Sequence, residues 1–399
     1  MYNPLFTLCV LGKSCGFSSG SFSFANFVAK PKQRAIHKPL SVIKKNKVDE
    51  SRKTIINSKG EILFFGLNQF KEDIAKGDCC FICGAKKSTK SFNDEHVIPD
   101  WVLKKYGLIV DKITLPNQHK FNYGRYKVPC CKNCNSTLGE VYEKPLSKLF
   151  SKPPEEVINQ IIGSEELRQK IFIWLNLIFL KTHLKDKELR RNLDKRIDEG
   201  SIADQYCWEE IHHIHCISRV HYSKAIIEPN VFGSIVIFKV ENSNDKSYDY
   251  IDSPAGKTVM IQLGQICIVS VLNDACACQS IMKDKFEKMY GNLSTFQIKE
   301  IVSHFNYLNL NLKTRPIFKS IIEMDLTYRI IAETPELWYL TATDERIAYY
   351  GKFLRFYLEN NNEGIEFDEE TLKEIELGNR SYLFDSEWNF LNQNEKEKN

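Results

Sequence analysis

The sequence predicts an α+β protein in two parts: a small metal-stapled segment near the N-terminus, then a larger α+β domain of helices and a small antiparallel sheet. Three observations carry this. Two Cys-x-x-Cys pairs, Cys80-Phe-Ile-Cys83 and Cys131-Lys-Asn-Cys134, stand either side of Asn93-Asp-Glu-His-Val-Ile-Pro99. Beyond Pro153-Pro154 the residues Ile171, Trp174, Leu175, Ile178 and Phe179 recur at helical spacing. Farther on, Phe232–Val240, Lys257–Leu263 and Gln265–Leu272 are apolar and β-branched, as strands are.

Thiolates two residues apart can bind one ion from a tight turn, and two such turns complete the closed tetrahedral shell that structural zinc prefers. Cys80, Cys83, Cys131 and Cys134 are therefore the expected ligands of one structural Zn2+. Cys79 and Cys130 each precede a pair by one place, which leaves a slipped ligand choice open, but neither has a partner at the two-residue spacing. A filled shell does no chemistry, because a catalytic ion needs open positions. That role falls to other residues. Glu95 offers a hard oxygen suited to Mg2+, and the adjacent His96 points the other way from an extended backbone. A histidine near its ordinary pKa of about 6.5 can take a proton from water at neutral pH. Asn135, at the start of an expected helix, offers a neutral carbonyl oxygen to the same ion. This is the equipment for metal-assisted hydrolysis of a phosphodiester.

The stretch Cys80–Phe150 resembles the HNH endonucleases, the ββα-metal nucleases, in the branch that carries four zinc cysteines. In that branch an Asp-His dipeptide stands where Glu95-His96 stands, and an asparagine follows the last zinc cysteine as Asn135 follows Cys134. The resemblance implies a treble-clef-like, zinc-stapled ββα-metal domain. It implies His96 as general base, and Glu95 and Asn135 as ligands of one catalytic Mg2+ or another divalent ion. DNA is the implied substrate, with RNA left open, and the reading extends to defence against foreign DNA. Two departures matter. The usual aspartate is glutamate here, and the segment from Pro99 to Cys130 is longer than in compact members, so the middle polar residue could be Asn117, His119 or Asn122. Paired Cys-x-x-Cys turns also build zinc ribbons that only bind partners, so the alternative is a non-catalytic zinc module that binds nucleic acid.

Charge agrees with a nucleic-acid partner. Residues 1–150 contain 25 Lys/Arg and 12 Asp/Glu, while the rest carries 30 and 39. The positive charge thus sits with the cysteine segment, as in a domain that displaces counterions from phosphates. Lys104, Lys105, Lys120, Arg125 and Lys127 are candidates to meet a backbone. Thirteen cysteines, an odd total with metal-like spacing, favour a reducing, cytoplasmic setting over a disulfide framework. No apolar run reaches the roughly eighteen residues of a membrane span.

Residues 1–60 read as a basic, disordered arm: Met1–Val48 contains no acidic residue, a composition that also fits an organelle transit peptide. The nuclease-like domain is expected over 61–150, with a strand at Glu61–Phe65, helices at Asn68–Lys76 and Pro99–Tyr106, and a helix Ser136–Lys144 that Pro145 interrupts. Glu140 and Glu143 on that helix read as solvated, or as supports for the ion. Residues 151–391 form the second domain, available for a protein partner or self-association. Its expected helices are Glu155–Ile162 and Glu165–Glu199, in the second of which the polar stretch Leu184–Asp198 either continues the helix or makes another. His212-His213-Ile-His215-Cys216 invites a metal assignment, but no second ligand group stands at a recognised spacing, so it reads as an ordinary strand or helix surface. Asn242–Lys246 and Ser253–Gly256 are turns between the three strands. Helices are expected at Ala275–Tyr290, at Ser294–Leu308 with a Ser294/Gln297 capping box, and at Asp344–Glu359, with a strand at Thr327–Ile331 and a loose charged tail from 392 to 399.

Overall fold

The computed structural model describes residues 6–7, 53–241, 247–323, 327–342, 349–360 and 367–392. The expected arm, the turn Asn242–Lys246, the start of the Asp344–Glu359 helix and the charged tail lie largely or wholly outside these residues. The chain is mixed α+β with small antiparallel sheets.

The cysteine segment starts with the short strands β1 (Ile55–Ile56) and β2 (Ile62–Phe64), then a helical stretch, Leu67–Gln69 running into the wider turns of Phe70–Lys76. Strand β3 (Phe92–His96) leads into α1 (Asp100–Lys105), which ends where Gly107 takes φ +73°. A small hairpin, β4 (Lys112–Thr114) and β5 (Lys120–Asn122), precedes β6 (Lys127–Cys131). Strand β6 returns antiparallel on β3 with Phe92 opposite Cys131 and His96 opposite Lys127. Helix α2 (Lys132–Leu138) follows at once. Pro145 does not end the helical run, contrary to expectation. The segment Gly139–Glu143 opens into wide turns that need no hydrogen bond from a proline nitrogen, and α3 (Lys144–Leu149) continues beyond it.

Helix α4 (Pro154–Gly163) is followed by α5 (Glu165–Asp186), capped by Ser164 Oγ accepting from Leu167 N at 3.2 Å. Almost every side chain of α5 from Ile171 to Asp186 is buried, so this is a central helix with no solvent face. It stops at Asp186, short of the expected Glu199. Beyond it, Asn192 Oδ1 accepts from Asp194 N and Asp194 Oδ1 from Arg196 N, local side-chain bonds that compete with helix. Helix α6 (Trp208–Ser218) contains the histidine cluster, which is therefore helical and largely buried instead of lying on a surface.

The expected antiparallel strands are present as β8 (Ile235–Lys239), β10 (Thr258–Leu263) and β11 (Ile266–Val271). The sheet is larger than expected, in the order Phe6–Thr7, β8, β11, β10, β9, where β9 is Tyr248–Ser253. Alternate residues explain the unbroken apolar runs. Ile235, Ile237, Ile261 and Ile268 face the core shared with α5 and the cysteine segment, whereas Val236, Phe238, Met260 and Val269 face a second core beneath α7 (Thr295–Leu310). Covered on both sides, these strands need no polar face. The Ser294/Gln297 capping box forms as expected. The Ala275–Tyr290 region is two short helices, Ala277–Ile281 and Lys283–Lys288. A separate sheet pairs Ile317–Ile322 with Tyr328–Glu333, whose other edge takes β7 (Ile226–Ile227), and α8 (Tyr350–Glu359) and α9 (Glu369–Leu377) complete the chain. Among the described residues, no helix is long and apolar enough to cross a membrane.

The two expected domains share one apolar cluster. It runs from Phe64 and Phe81 through Leu146 and Phe150 to Trp174, Ile211 and Ile261. Trp101 stacks against Phe150 and Trp174, so its packing partner includes the long helix. At the end of α5, Asp186 accepts from Tyr206 at 2.6 Å and from Tyr126 of the cysteine segment at 3.3 Å.

Burial pushes the Asp186 carboxyl up to about 6, against the pull of the Tyr206 and Tyr126 hydroxyls. Its folded value lies above the unfolded value of about 3.9, so the stability it contributes is complete below about pH 4 and is lost as pH rises through about 6. Asp186→Asn, which cannot ionise, should flatten the decline in stability between about pH 4 and about pH 7 by on the order of 3 kcal/mol, read from denaturation midpoints across that range.

Candidate metal centre and its surroundings

The four expected cysteines come together. The sulfurs of Cys80, Cys83, Cys131 and Cys134 all lie within 4.8 Å of one another and the residues are buried. Cys83 Sγ and Cys131 Sγ are 3.7 Å apart, close to the edge of about 3.8 Å that a tetrahedron with metal–sulfur bonds of about 2.3 Å requires. Sulfurs this close interact strongly. Hydrogen bonds from Cys130, Cys134 and Cys83 pull the Cys80 thiol far below its ordinary value, and the same sharing, first with Cys80 and then with Cys83, drives Cys134 up. A cation that lets all four be thiolate resolves that conflict, so the donor set fits a structural metal such as zinc. Cys130, the slipped alternative, packs with its sulfur 3.8 Å from Cys80 Sγ but is outside the four-sulfur group.

Local sequence builds each half of the site. In the first turn, Cys80 N donates to Ala85 O and Gly84 N to Cys80 O, both at 2.8 Å. Gly84 has φ +76°, and a Cβ there would sit 2.6 Å from Phe65 Cζ, so glycine is required twice over. In the second half, Cys131 ends β6 and caps α2, and Cys134 lies in that helix's first turn.

The carbonyls between Cys80 and Cys83 are gripped by α6 and the residue after it. His215 Nε2 donates to Phe81 O at 2.8 Å. Arg219 Nε donates to Ile82 O at 2.7 Å, while its two terminal nitrogens reach Leu63 O and Ile62 O at 2.9 and 2.7 Å. The Arg219 guanidinium lies 4.5 Å from the Phe65 ring. His212 Nε2 is 2.7 Å from Phe65 O. Burial holds His212 and His215 below the ordinary histidine value, so both are neutral clamps. Among the described residues this cluster forms no metal-binding group. The clamps were not found from sequence because each joins residues more than a hundred positions apart; an arginine one turn beyond His215, in the apolar stretch Cys216–Val220, was the available signal.

Glu95, His96 and Asn135 lie beside the cysteine site on β3 and α2. Asn135 Nδ2 donates to Asn93 Oδ1 at 2.9 Å. That bond uses the amide nitrogen and turns the carbonyl oxygen of Asn135 outward from it. Asn93 and Glu95 share one face of β3, because side chains alternate along a strand. His96, on the other face, is half-buried; burial and then Lys127 hold it below its ordinary value while Asp100 and Glu95 pull it back. Glu95 is not open to solvent. It is 6% exposed, and its Oε1 meets Lys181 Nζ of α5 at 2.7 Å. The same ammonium donates to His96 O at 2.7 Å. Glu143 is close by, its carboxyl pushed up to about 7 by burial, with Lys181 drawing it down and Glu95 and Asp100 pushing it up. It is thus a half-buried group, unlike the solvated Glu140, which pairs with Lys144.

The candidates for the middle polar residue lie on the small hairpin. Asn117 Nδ2 bonds to Arg190 O at 2.9 Å, and its Oδ1 accepts from His119 N; Asn122 ends β5. Asn93, on β3 itself, is the polar group that reaches Asn135. Of the candidate phosphate contacts, Lys104 pairs with Asp100 at 2.5 Å and Lys105 donates to Phe150 O, whereas Lys120 and Arg125 are exposed.

Comparison of the chain with protein-family models, with curated proteins and with solved structures returns no match.

Cys131→Ser should lose the metal and melt the segment, seen as metal content after dialysis together with a lost thermal transition. Arg219→Ala leaves three buried carbonyls without their donor; it should cost roughly 3 kcal/mol or more and speed metal loss to a chelator. Full stability and full metal retention in Arg219→Ala would show that the clamp is idle.

Proposed function

We propose that this chain is a metal-dependent endonuclease of HNH type that hydrolyses phosphodiester bonds in DNA, with a four-cysteine structural zinc. The observation that carries the reading is the Asn135–Asn93 bond at 2.9 Å, which ties the residue after the last cysteine to the strand bearing Glu95 and His96. The chain order supports it: a cysteine turn, an antiparallel pair of strands and a helix, with four sulfurs brought together, is the order expected of a treble-clef-like domain.

In this reading the cysteine site is scaffold. It fixes the start of α2, and with it Asn135, against β3. Asn135 and Glu95 supply a neutral and an anionic oxygen, a hard donor set that suits Mg2+ or a similar ion. Such an ion, when bound, would neutralise charge on the phosphate and on the leaving oxygen. His96 is neutral at physiological pH because of its surroundings, so it can accept a proton from water. Lys127, opposite His96, gives the backbone of a nucleic acid a cationic partner beside that imidazole, and the exposed Lys120 and Arg125 add cations on the same segment.

One observation favours a second reading. The buried Lys181–Glu95 pair already satisfies the carboxylate, as it would in a zinc module that binds nucleic acid without cutting it. The two differ in one assay. Under the nuclease reading, His96→Ala lowers Mg2+-dependent plasmid cleavage by roughly 10²–10⁴-fold while zinc content and melting temperature stay as in the parent. Salt-sensitive DNA binding with no cleavage by the parent protein or by a variant that lacks the Lys181 charge would decide for the binding module.

A further inference from the structure

We propose that Lys181 is a resident cation that competes with the divalent ion for Glu95, so that the ion seat is held shut by α5. The inference rests on the nuclease reading above and concerns regulation of the same site. Its basis is geometric. The Lys181 ammonium makes two contacts of 2.7 Å, to Glu95 Oε1 and to His96 O, with the two paired side chains only 4% and 7% exposed. It sits on a helix buried on all sides, between Leu180 and Thr182, whose hydroxyl is 3.1 Å from Tyr250 OH. The stem is therefore not free to swing into solvent.

An ammonium and a divalent ion cannot occupy one carboxylate at close range without strong repulsion, and inside a protein that repulsion is poorly screened. An ordinary structural ion pair behaves differently when its cation is removed: the carboxylate is left buried and uncompensated, and nothing else relieves it. If the pair guards an ion seat, a divalent ion can take the ammonium's place. Glu143 lies close enough for Lys181 to act on its carboxyl, so the seat has a second acid beside it.

The test uses the full-length, zinc-loaded chain and Mn2+ as the probe, with binding read by electron paramagnetic resonance of free Mn2+ and stability by thermal melting. Lys181→Gln keeps a donor toward His96 O and removes the charge; Lys181→Met with Glu95→Gln removes both charges and is the fold-preserving reference. Lys181→Gln is expected to bind Mn2+ at least about tenfold more tightly than the parent and to melt higher when Mn2+ is added. The double variant is expected to ignore Mn2+. Equal Mn2+ affinity in the parent and in Lys181→Gln, or a melting loss in Lys181→Gln that Mn2+ leaves unchanged, overturns the proposal. DNA cleavage is followed on the same samples. Tighter Mn2+ binding with no cleavage by any variant removes the nuclease reading and upholds the competition, whereas cleavage by the parent with unchanged Mn2+ affinity removes the competition alone.

Discussion

The arginine at 219 is the contact on which the arrangement turns. Its guanidinium has no exposed surface to speak of and bonds three main-chain carbonyls, one of them inside the Cys80–Cys83 turn. Carbonyls in such a turn have no helix or sheet ladder to satisfy them, and burying them unbonded would be expensive. A fixed charge that presents five donors in a rigid fork can serve three carbonyls spread around its plane, whereas a lysine's three donors all converge on one nitrogen. A metal bound by the four cysteines would hold the sulfurs; the arginine and His215 hold the backbone that carries them. Either alone would leave a loop free to rock about the other.

From this it follows why the cysteine segment is not a detachable finger. A small zinc-stapled unit can stand alone, since the ion substitutes for a core. Here Phe65, Phe81 and Ile82 instead insert among α6 and α5 residues in one continuous apolar cluster. Lys187 adds a further clamp, donating to Ile74 O at 3.0 Å and to Gly77 O just ahead of the first cysteines. The geometry of β3 and α2 is thus set by the larger part of the chain as much as by sulfur.

What the sequence disclosed was local. Two-residue cysteine spacing, the helix end before Gly107 and the Ser294/Gln297 box each follow from a few neighbouring residues, and each is found in the fold. So do the apolar strands β8, β10 and β11. What it concealed depended on partners far along the chain. Tyr248-Asp-Tyr-Ile-Asp-Ser253 looks too polar for a strand, yet it pairs along its full length with β10 and turns its tyrosines toward the buried cluster around Tyr123. Helix α5 reads beyond its true end because Lys, Arg and Leu favour helix, and the stop is marked by the tyrosines that reach Asp186 and by the local side-chain bonds of Asn192 and Asp194. The histidine run suggested metal or surface, whereas its nitrogens serve carbonyls more than a hundred residues away. Lys181 carried no signal, being one lysine in an apolar helix, 86 positions from the carboxylate it meets.

The distribution of charge gains meaning from these contacts. The first 150 residues are strongly basic and the remainder acidic, which would suggest that the second part offers its carboxylates to the first. The buried contacts run the other way. Lys181, Lys187 and Arg219 all belong to the acidic remainder, and all three direct their cations into the basic segment, at a carboxylate and at backbone carbonyls. Since buried positive charge is supplied from outside, the segment's own Lys120, Arg125 and Lys132 remain at the surface. A cation used inside a fold is lost to a phosphate ligand, and a cation left outside costs little to keep. The division leaves several of the segment's own cations at the surface while the carboxylate and carbonyls behind them are met from the rest of the chain, and under the proposed nuclease reading these surface cations are the ones free to meet a phosphate backbone.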